Sequence, residues 1–310
     1  MPPEGVEGLP HEAMLSFEEI ERLAGILAGL GVKRIRLTGG EPTVRRGIGK
    51  LTRMLGETEG IEEVVMTSNG LFSEETLEEL LAAGLKGLNI SLDTLSEEAF
   101  ERISRGRGIE RVLHTIDRGY EAGLSMKINC VPILGMEGQE PERVAEFARD
   151  RAIDVRYIEL MPLGCGKMCR GISSEQMLER LRGLYGPEGV CGLKEESCAK
   201  NGSAESSIGV RGPARYVSFE GFRGRVGFIS PLSHAFCSEC NRIRLTGDGF
   251  LKLCLHYELG LDLKALLRGG ASDEAIREAV IEVLKRKPDR HSFGESVAGE
   301  ENRRMNQIGG

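Results

Sequence analysis

The sequence predicts an α/β protein of parallel βα units, either a barrel or a doubly wound sheet, and three observations carry that reading. First, short β-branched runs alternate with helical patterns: Lys33 to Leu37, Glu62 to Met66, Gly87 to Leu92, Met126 to Val131 and Val155 to Leu160. Second, polar residues lie on or just beyond each run, where parallel βα folds keep their ligand site. These are Thr38-Gly39-Gly40-Glu41-Pro42, Thr67-Ser68-Asn69-Gly70, Ser91-Leu92-Asp93, Lys127-Ile128-Asn129 and Glu159-Leu160-Met161-Pro162. Any one of them reads as ordinary turn chemistry, but all five at one end of the strands read as a pocket. Third, the chain opens with a helix and no strand ahead of it, so the first unit is cut in half.

That helix begins at Ser16, whose S-F-E-E is a capping-box pattern, and Phe17, Ile20, Leu23, Leu27 and Leu30 recur at helical spacing until Gly31. After the fifth strand a helix is expected from Ser173 to Tyr185. Residues 186–207 read as a long polar loop rich in Gly, Ser and Lys, with Cys191 and Cys198 inside it. Ala214 to Phe219 and Arg225 to Ile229 alternate around Gly221 and Gly224 as a hairpin does. A helix from Ser272 to Lys285 and a charged tail follow. A chain of 310 residues accommodates two domains, placed at residues 1–185 and 186–310.

Bulk properties narrow the function. The net charge of −7, from 41 basic and 48 acidic residues, excludes a general nucleic-acid binder, so a polyanionic ligand must be met locally. No apolar run is long enough to span a bilayer and the first residues do not form a signal peptide, which predicts a cytoplasmic protein without a membrane partner. In a reducing compartment, eight cysteines favour metal chemistry over disulfides. Cys237, Cys240 and Cys254 form C-x2-C-x13-C, a spacing at which three thiolates converge on one centre, with Arg242 and Arg244 between them. Spacing leaves two centres open: zinc, with His234 or His256 as fourth ligand, or an iron-sulfur cluster. Cys165, Cys169, Cys191 and Cys198 read as free thiols.

Several motifs together resemble one family. R-L-T-G-G-E-P at Arg36 to Pro42, the S-N-G turn at Ser68, N-I-S-L-D at Asn89 and Y-I-E-L-M-P-L-G at Tyr157 come from the strand region. G-F-I-S-P with S-H-x-F-C-x-x-C-N-R-x-R-L-T-x-D-G, a late K-P-x-x-H-x-F from Lys287 and the ending M-N-Q-I-G-G come from the second half. The whole chain resembles the radical S-adenosylmethionine GTP 3′,8-cyclases of molybdenum-cofactor biosynthesis. The resemblance implies an incomplete, TIM-like βα barrel lacking its first strand, with a smaller C-terminal iron-sulfur domain. It implies a [4Fe-4S] cluster on Cys237, Cys240 and Cys254 with one iron open to guanine. It also implies S-adenosylmethionine at Gly40, Ser91 and Met161, and GTP at Arg36, Thr67, Lys127, Arg242 and Arg244.

These residue types suit the ligands. Arg and Lys meet a triphosphate with charge-assisted hydrogen bonds worth about 1.5 to 3 kcal/mol each. Gly40 lets backbone approach the methionyl group, and Glu41 can accept from its ammonium. By the same resemblance, cleavage of S-adenosylmethionine yields a radical that takes hydrogen from the ribose 3′ carbon of GTP, and that carbon closes onto C8 of the base. The implied partners are GTP, a cellular electron donor, the next enzyme of the molybdopterin pathway and a second copy in a homodimer. Gly309 and Gly310 are expected to thread into the barrel.

One departure matters. The family holds a second, N-terminal [4Fe-4S] cluster on C-x3-C-x2-C followed at once by Met-Pro, and this sequence opens at Met1-Pro2. The expectation is a chain shortened at its start, carrying that cluster and radical activity only in full-length form. The alternative is a GTP- and cluster-binding module without radical activity.

Overall fold

The computed structural model describes residues 10–104, 106–162, 164–190 and 213–291. The tail glycines, Cys191 and Cys198 lie outside these residues. Ser16 caps α1 (Phe17–Gly29): its hydroxyl accepts from Glu19 N at 3.1 Å, and Glu19 Oε2 accepts from Ser16 N at 2.8 Å. Both bonds satisfy backbone donors that the first turn leaves open.

The chain then runs β1 (Arg34–Leu37), α2 (Ile48–Glu57), β2 (Glu63–Ser68), α3 (Glu74–Ala82), β3 (Gly87–Ser91), α4 (Glu97–Ser104) and α5 (Ile109–Glu121). It continues through β4 (Ser125–Cys130), α6 (Glu146–Asp150), β5 (Asp154–Ile158) and α7 (Ser174–Tyr185). The second half contains β6 (Glu188–Val190), β7 (Ala214–Phe219), β8 (Val226–Ile229), β9 (Arg244–Leu245), β10 (Phe250–Lys252), β11 (Gly260–Asp262), α8 (Leu263–Arg268) and α9 (Asp273–Leu284). All five expected strands form, each within two residues of its anticipated ends.

One sheet of eight strands has the order β1-β2-β3-β4-β5-β8-β7-β6, with β1 through β5 parallel and β1 at an edge. The expected hairpin joins this sheet. Strand β8 lies parallel to β5, and β7 and β6 follow antiparallel. Residues on both sides of position 186 therefore share one sheet. Gly227 permits the join, since a Cβ there would come within 2.8 Å of the Tyr216 ring and 3.1 Å of Arg156.

Parallel strands covered on both faces read as continuous apolar runs, whereas these alternate. Met66, Leu88, Ile90, Ile128, Val155 and Tyr157 are buried beneath the helices and form the main core. The alternate positions Thr67, Asn89, Ser91, Lys127, Asn129, Asp154 and Arg156 point to the other face, because successive side chains in a strand take opposite sides. One face of the sheet is thus a polar wall.

A second core explains the helix that has no strand ahead of it. Leu23 and Ile26 of α1, with Leu15, pack against Leu251, Leu253, Leu263, Ile276 and Val280, while Ala24 on the same helix belongs to the main core. Arg268 donates to Glu12 O (2.7 Å), Met14 O (2.9 Å) and Glu19, and Lys264 donates to Ala13 O (2.7 Å). The opening helix fastens the three-stranded β9-β10-β11 sheet to the large one.

Candidate active site

Register builds the site. Thr67, Asn89, Lys127 and Asp154 stand opposite one another across β2 to β5, and Ser91, Asn129, Arg156 and Gly227 form the next row toward the carboxyl ends. Arg36 reaches this wall from β1, donating from Nη1 to Thr67 Oγ1 at 3.2 Å. With its amide oxygen facing the guanidiniums, Asn89 accepts from Arg156 Nη2 (3.2 Å), from Thr67 Oγ1 (3.2 Å) and from Arg36 Nη1.

Cations from both halves of the chain act on each other here. The pKa of Arg36 is pulled down to about 10, first by burial and then by Arg156, Arg242 and Arg34. The residue as a whole is exposed, so it is not sealed in a core. Burial also takes Lys127 down to about 8, with Arg156 and Arg36 adding to the effect and Asp154 opposing it. Arg242 and Arg244 are lowered by burial too; Arg156 acts on Arg242, and Arg242 on Arg244. The carboxylates that favour the charged forms of Arg36, Lys127 and Arg156, Glu63 and Asp154, are themselves held: Glu63 by Arg34, and Asp154 by Arg225 at 2.7 Å.

Three buried polar atoms on this wall and its rim have no hydrogen-bond partner: Asn129 Oδ1, Arg156 Nε and Arg244 Nε. The two arginine nitrogens are unpaired buried donors beside clustered cations, and a polyanion would satisfy both, whereas the acceptor Asn129 Oδ1 calls for a donor. Arg156 escaped the sequence reading and Asn89 entered it only as part of N-I-S-L-D, with no role assigned, although their signal was present as polar residues at every second position of otherwise apolar strands.

The turns beyond the strands are tied to each other. Glu41 Oε1 accepts from Thr43 N (3.1 Å), Thr43 Oγ1 (2.7 Å) and Ser68 Oγ (2.9 Å), and Glu41 Oε2 accepts from Asn69 N (2.7 Å). This carboxylate therefore locks the Gly39-Gly40 loop onto the Ser68-Asn69 turn. Burial raises Asp93 to about 6 even though its Oδ1 accepts from Val131 N at 2.7 Å, a bond that opposes the rise. Glu159 accepts from Ser174 N (3.1 Å), Leu232 N (3.1 Å), Ser233 N (3.0 Å) and Ser233 Oγ (2.5 Å). Burial alone would push this carboxylate up, but those bonds hold it below its usual range. Gly40, Ser91 and Met161 lie at the carboxyl end of the sheet, at or within three residues beyond the last residues of β1, β3 and β5, which β2 and β4 separate.

Cys237, Cys240 and Cys254 are free and half-buried. A single 3-10 turn, Cys237–Glu239, sets the first two, with Cys240 N donating to Cys237 O at 3.0 Å. Burial and Arg242 disfavour the charged form of Arg244, while Cys240 and Cys254 both favour it. Among the described residues, no three His, Cys, Asp or Glu side chains converge as they would on one metal ion. His234 instead pairs with Glu175 at 4.0 Å, and His256 is buried edge-on to Tyr257. Cys169 is exposed, as expected of a free thiol.

Comparison with known proteins places this arrangement. Residues 3–150 match the radical SAM superfamily and residues 153–293 match Molybdenum Cofactor Synthesis C. The chain is 38% identical over 300 residues to a GTP 3′,8-cyclase of Clostridium perfringens, covering 97% of this chain and 88% of that one. It is 41% identical over 317 residues to the GTP 3′,8-cyclase of Peptoclostridium acidaminophilum, covering 100% and 90%. A third relative, from Syntrophomonas wolfei, is 39% identical over 311 residues, covering 100% and 92%. The chain belongs to the GTP 3′,8-cyclase family of radical SAM proteins.

Proposed function

We propose that the polypeptide is a GTP 3′,8-cyclase, converting GTP to (8S)-3′,8-cyclo-7,8-dihydroguanosine 5′-triphosphate in the first step of molybdenum-cofactor biosynthesis. One observation carries this reading: Arg36, Lys127, Arg156, Arg242 and Arg244 are linked through their electrostatic influence on one another, and two of them have an unpaired buried nitrogen. In an acidic protein, such a concentration of like charge is relieved by a polyanion between the cations. Triphosphate is the anion of matching size and charge, and the guanidiniums supply planar forks for its oxygens.

Radical SAM membership brings S-adenosylmethionine and a [4Fe-4S] cluster, which when bound supply the carbon-centred radical that starts the reaction. In this reading, Gly40, Ser91 and Met161 hold S-adenosylmethionine at the mouth. Cys237, Cys240 and Cys254 would hold a cluster at the GTP end, as three thiols half-buried near one another in sequence and free of disulfides. Arg242 and Arg244 would offset the negative charge of the thiolates. The chain contains no C-x3-C-x2-C, so none of its residues is assigned to a cluster beside S-adenosylmethionine.

The chain's own groups do the positioning. Arg36, Lys127 and Arg156 fix the phosphates against the sheet, Thr67 and Asn89 hold Arg36 and Arg156, and Glu159 ties the loop before Cys237 to β5. Fixing both ends of the nucleotide sets the ribose between them, where orientation lowers the entropic barrier to cyclisation. A cellular electron donor and the next enzyme of the molybdopterin pathway complete the reading. Among the described residues, no helix is long and apolar enough to cross a membrane.

Anaerobic incubation with GTP, S-adenosylmethionine and dithionite tests the proposal. With a cluster in place beside S-adenosylmethionine, the expected products are 5′-deoxyadenosine and the cyclised nucleotide. GTP binding without 5′-deoxyadenosine would identify a binding module lacking radical activity.

Two binding predictions belong here. Lys127 carries its charge below about pH 8. GTP affinity is therefore expected to be full below that pH and to fall above it with a slope of one proton, and Lys127→Met removes the slope. A flat calorimetric profile for the wild type between pH 7 and 9.5 would exclude Lys127. Arg244→Lys keeps the charge but loses the fork, so GTP affinity should fall roughly tenfold or more. Wild-type affinity in that variant would remove Arg244 from the site.

A further inference from the structure

The late Lys287-Pro288-x-x-His291 segment takes no part in the site as described, yet it touches all three approaches to the cysteines. Lys287 Nζ donates to Arg242 O at 2.6 Å and to Leu253 O at 2.6 Å. Arg242 is two residues beyond Cys240, and Leu253 immediately precedes Cys254. His291 Nε2 lies 2.6 Å from Pro231 O, and a carbonyl only accepts, so the ring donates from Nε2. Pro231 opens the loop, Leu232 to Phe236, that leads to Cys237.

From these contacts we infer that residues 287–291 form a strap that positions the three cysteine-bearing segments, with Lys287 as its principal positioning residue. The geometry has a reason. Strands β9 and β10 pair through only two residue positions, Arg244 opposite Lys252 and Leu245 opposite Leu251, so little ladder holds Cys240 and Cys254 in register. One ammonium bonded to a carbonyl on each limb closes the hairpin at its cysteine end, and charge-assisted bonds are about twice as strong as neutral ones. Pro288, next in sequence, restricts the backbone where the strap leaves α9. The strap's other end is fixed by α9, whose Ile276, Val280 and Val283 are buried in the second core. Two of the three contacted carbonyls are within two residues of a cysteine, so displacing the ammonium moves sulfurs first.

The proposal rests on reading Cys237, Cys240 and Cys254 as cluster ligands, and the experiment separates the two claims. Wild type, Lys287→Met, Lys287→Arg and His291→Leu are reconstituted anaerobically, and release of iron to a chelator is timed. Hydrogen exchange over residues 237–255 is measured in the same chains before reconstitution. Lys287→Met should release iron roughly tenfold faster, the effect of about one charge-assisted bond. It should also exchange faster at 240–255 while α1 and α9 remain protected. Lys287→Arg restores both, since a guanidinium can reach two carbonyls. His291→Leu should loosen the segment around Cys237 alone. Wild-type release and exchange in Lys287→Met would overturn the strap, as would loss of protection throughout α9, which marks general unfolding. A wild-type chain that holds no iron and sulfide would instead sink the ligand reading, whatever Lys287 does.

Discussion

Cys254→Ser should remove most of the iron and sulfide from the anaerobically reconstituted chain, while Cys169→Ser leaves both at the wild-type level. The asymmetry follows from position. Cys254 is half-buried and acts on Arg244 together with Cys240, whereas Cys169 is exposed on a turn beyond β5. A serine hydroxyl stays protonated at neutral pH and is a poor ligand for iron, so the change removes a ligand outright. The loss should be nearly complete, because cluster ligation is cooperative. Iron, sulfide and zinc analysis checks it. Stoichiometric zinc without sulfide in the wild type would contradict the cluster assignment, and equal iron loss in both variants would contradict the choice of ligands.

The second large effect concerns Arg156 and Arg242, two cations of the proposed GTP site. Each supplies about one charge-assisted interaction, so Arg156→Met with Arg242→Met should cost about 3 to 6 kcal/mol of GTP binding, roughly a hundredfold to ten-thousandfold in affinity. Burial and, behind it, Arg156 disfavour the charge on Arg242, which predicts a stability change of opposite sign. The ligand-free double variant should melt at or above the wild-type temperature, because a charge cluster kept for binding is a burden on the empty fold. Calorimetric titration and thermal melting measure both. A variant that loses GTP and also melts far below the wild type would point to structural damage, and one that keeps GTP would remove both residues from the site.

Much of this was legible in the sequence because it depends on local patterns. Period-two apolar runs gave the five parallel strands, and the S-F-E-E capping box gave α1. The thiol centre read from C-x2-C-x13-C stays a proposal, since no three ligand side chains converge among the described residues. Arg156 was missed because it sits inside a strand whose visible motif, Glu159 to Pro162, begins only after it. Only register, with Asn129 beside Arg156 and Arg156 beside Gly227, turns that arginine toward Arg36. The joining of β8 to β5 was hidden for the same reason: a hairpin's sequence specifies its own turn and says nothing about the strand on its outer edge. The service of α1 to two cores was likewise invisible, since an apolar stripe does not say how many partners it meets.

The central claim is that one ligand spans the cation wall and the cysteine centre. The most direct measurement is calorimetric titration of GTP and of inorganic triphosphate into wild type, into Lys127→Met with Arg156→Met, and into wild type stripped of iron. The account predicts that the wall variant loses both ligands, whereas the stripped chain keeps triphosphate and binds GTP more weakly. GTP affinity unchanged by both treatments would contradict it.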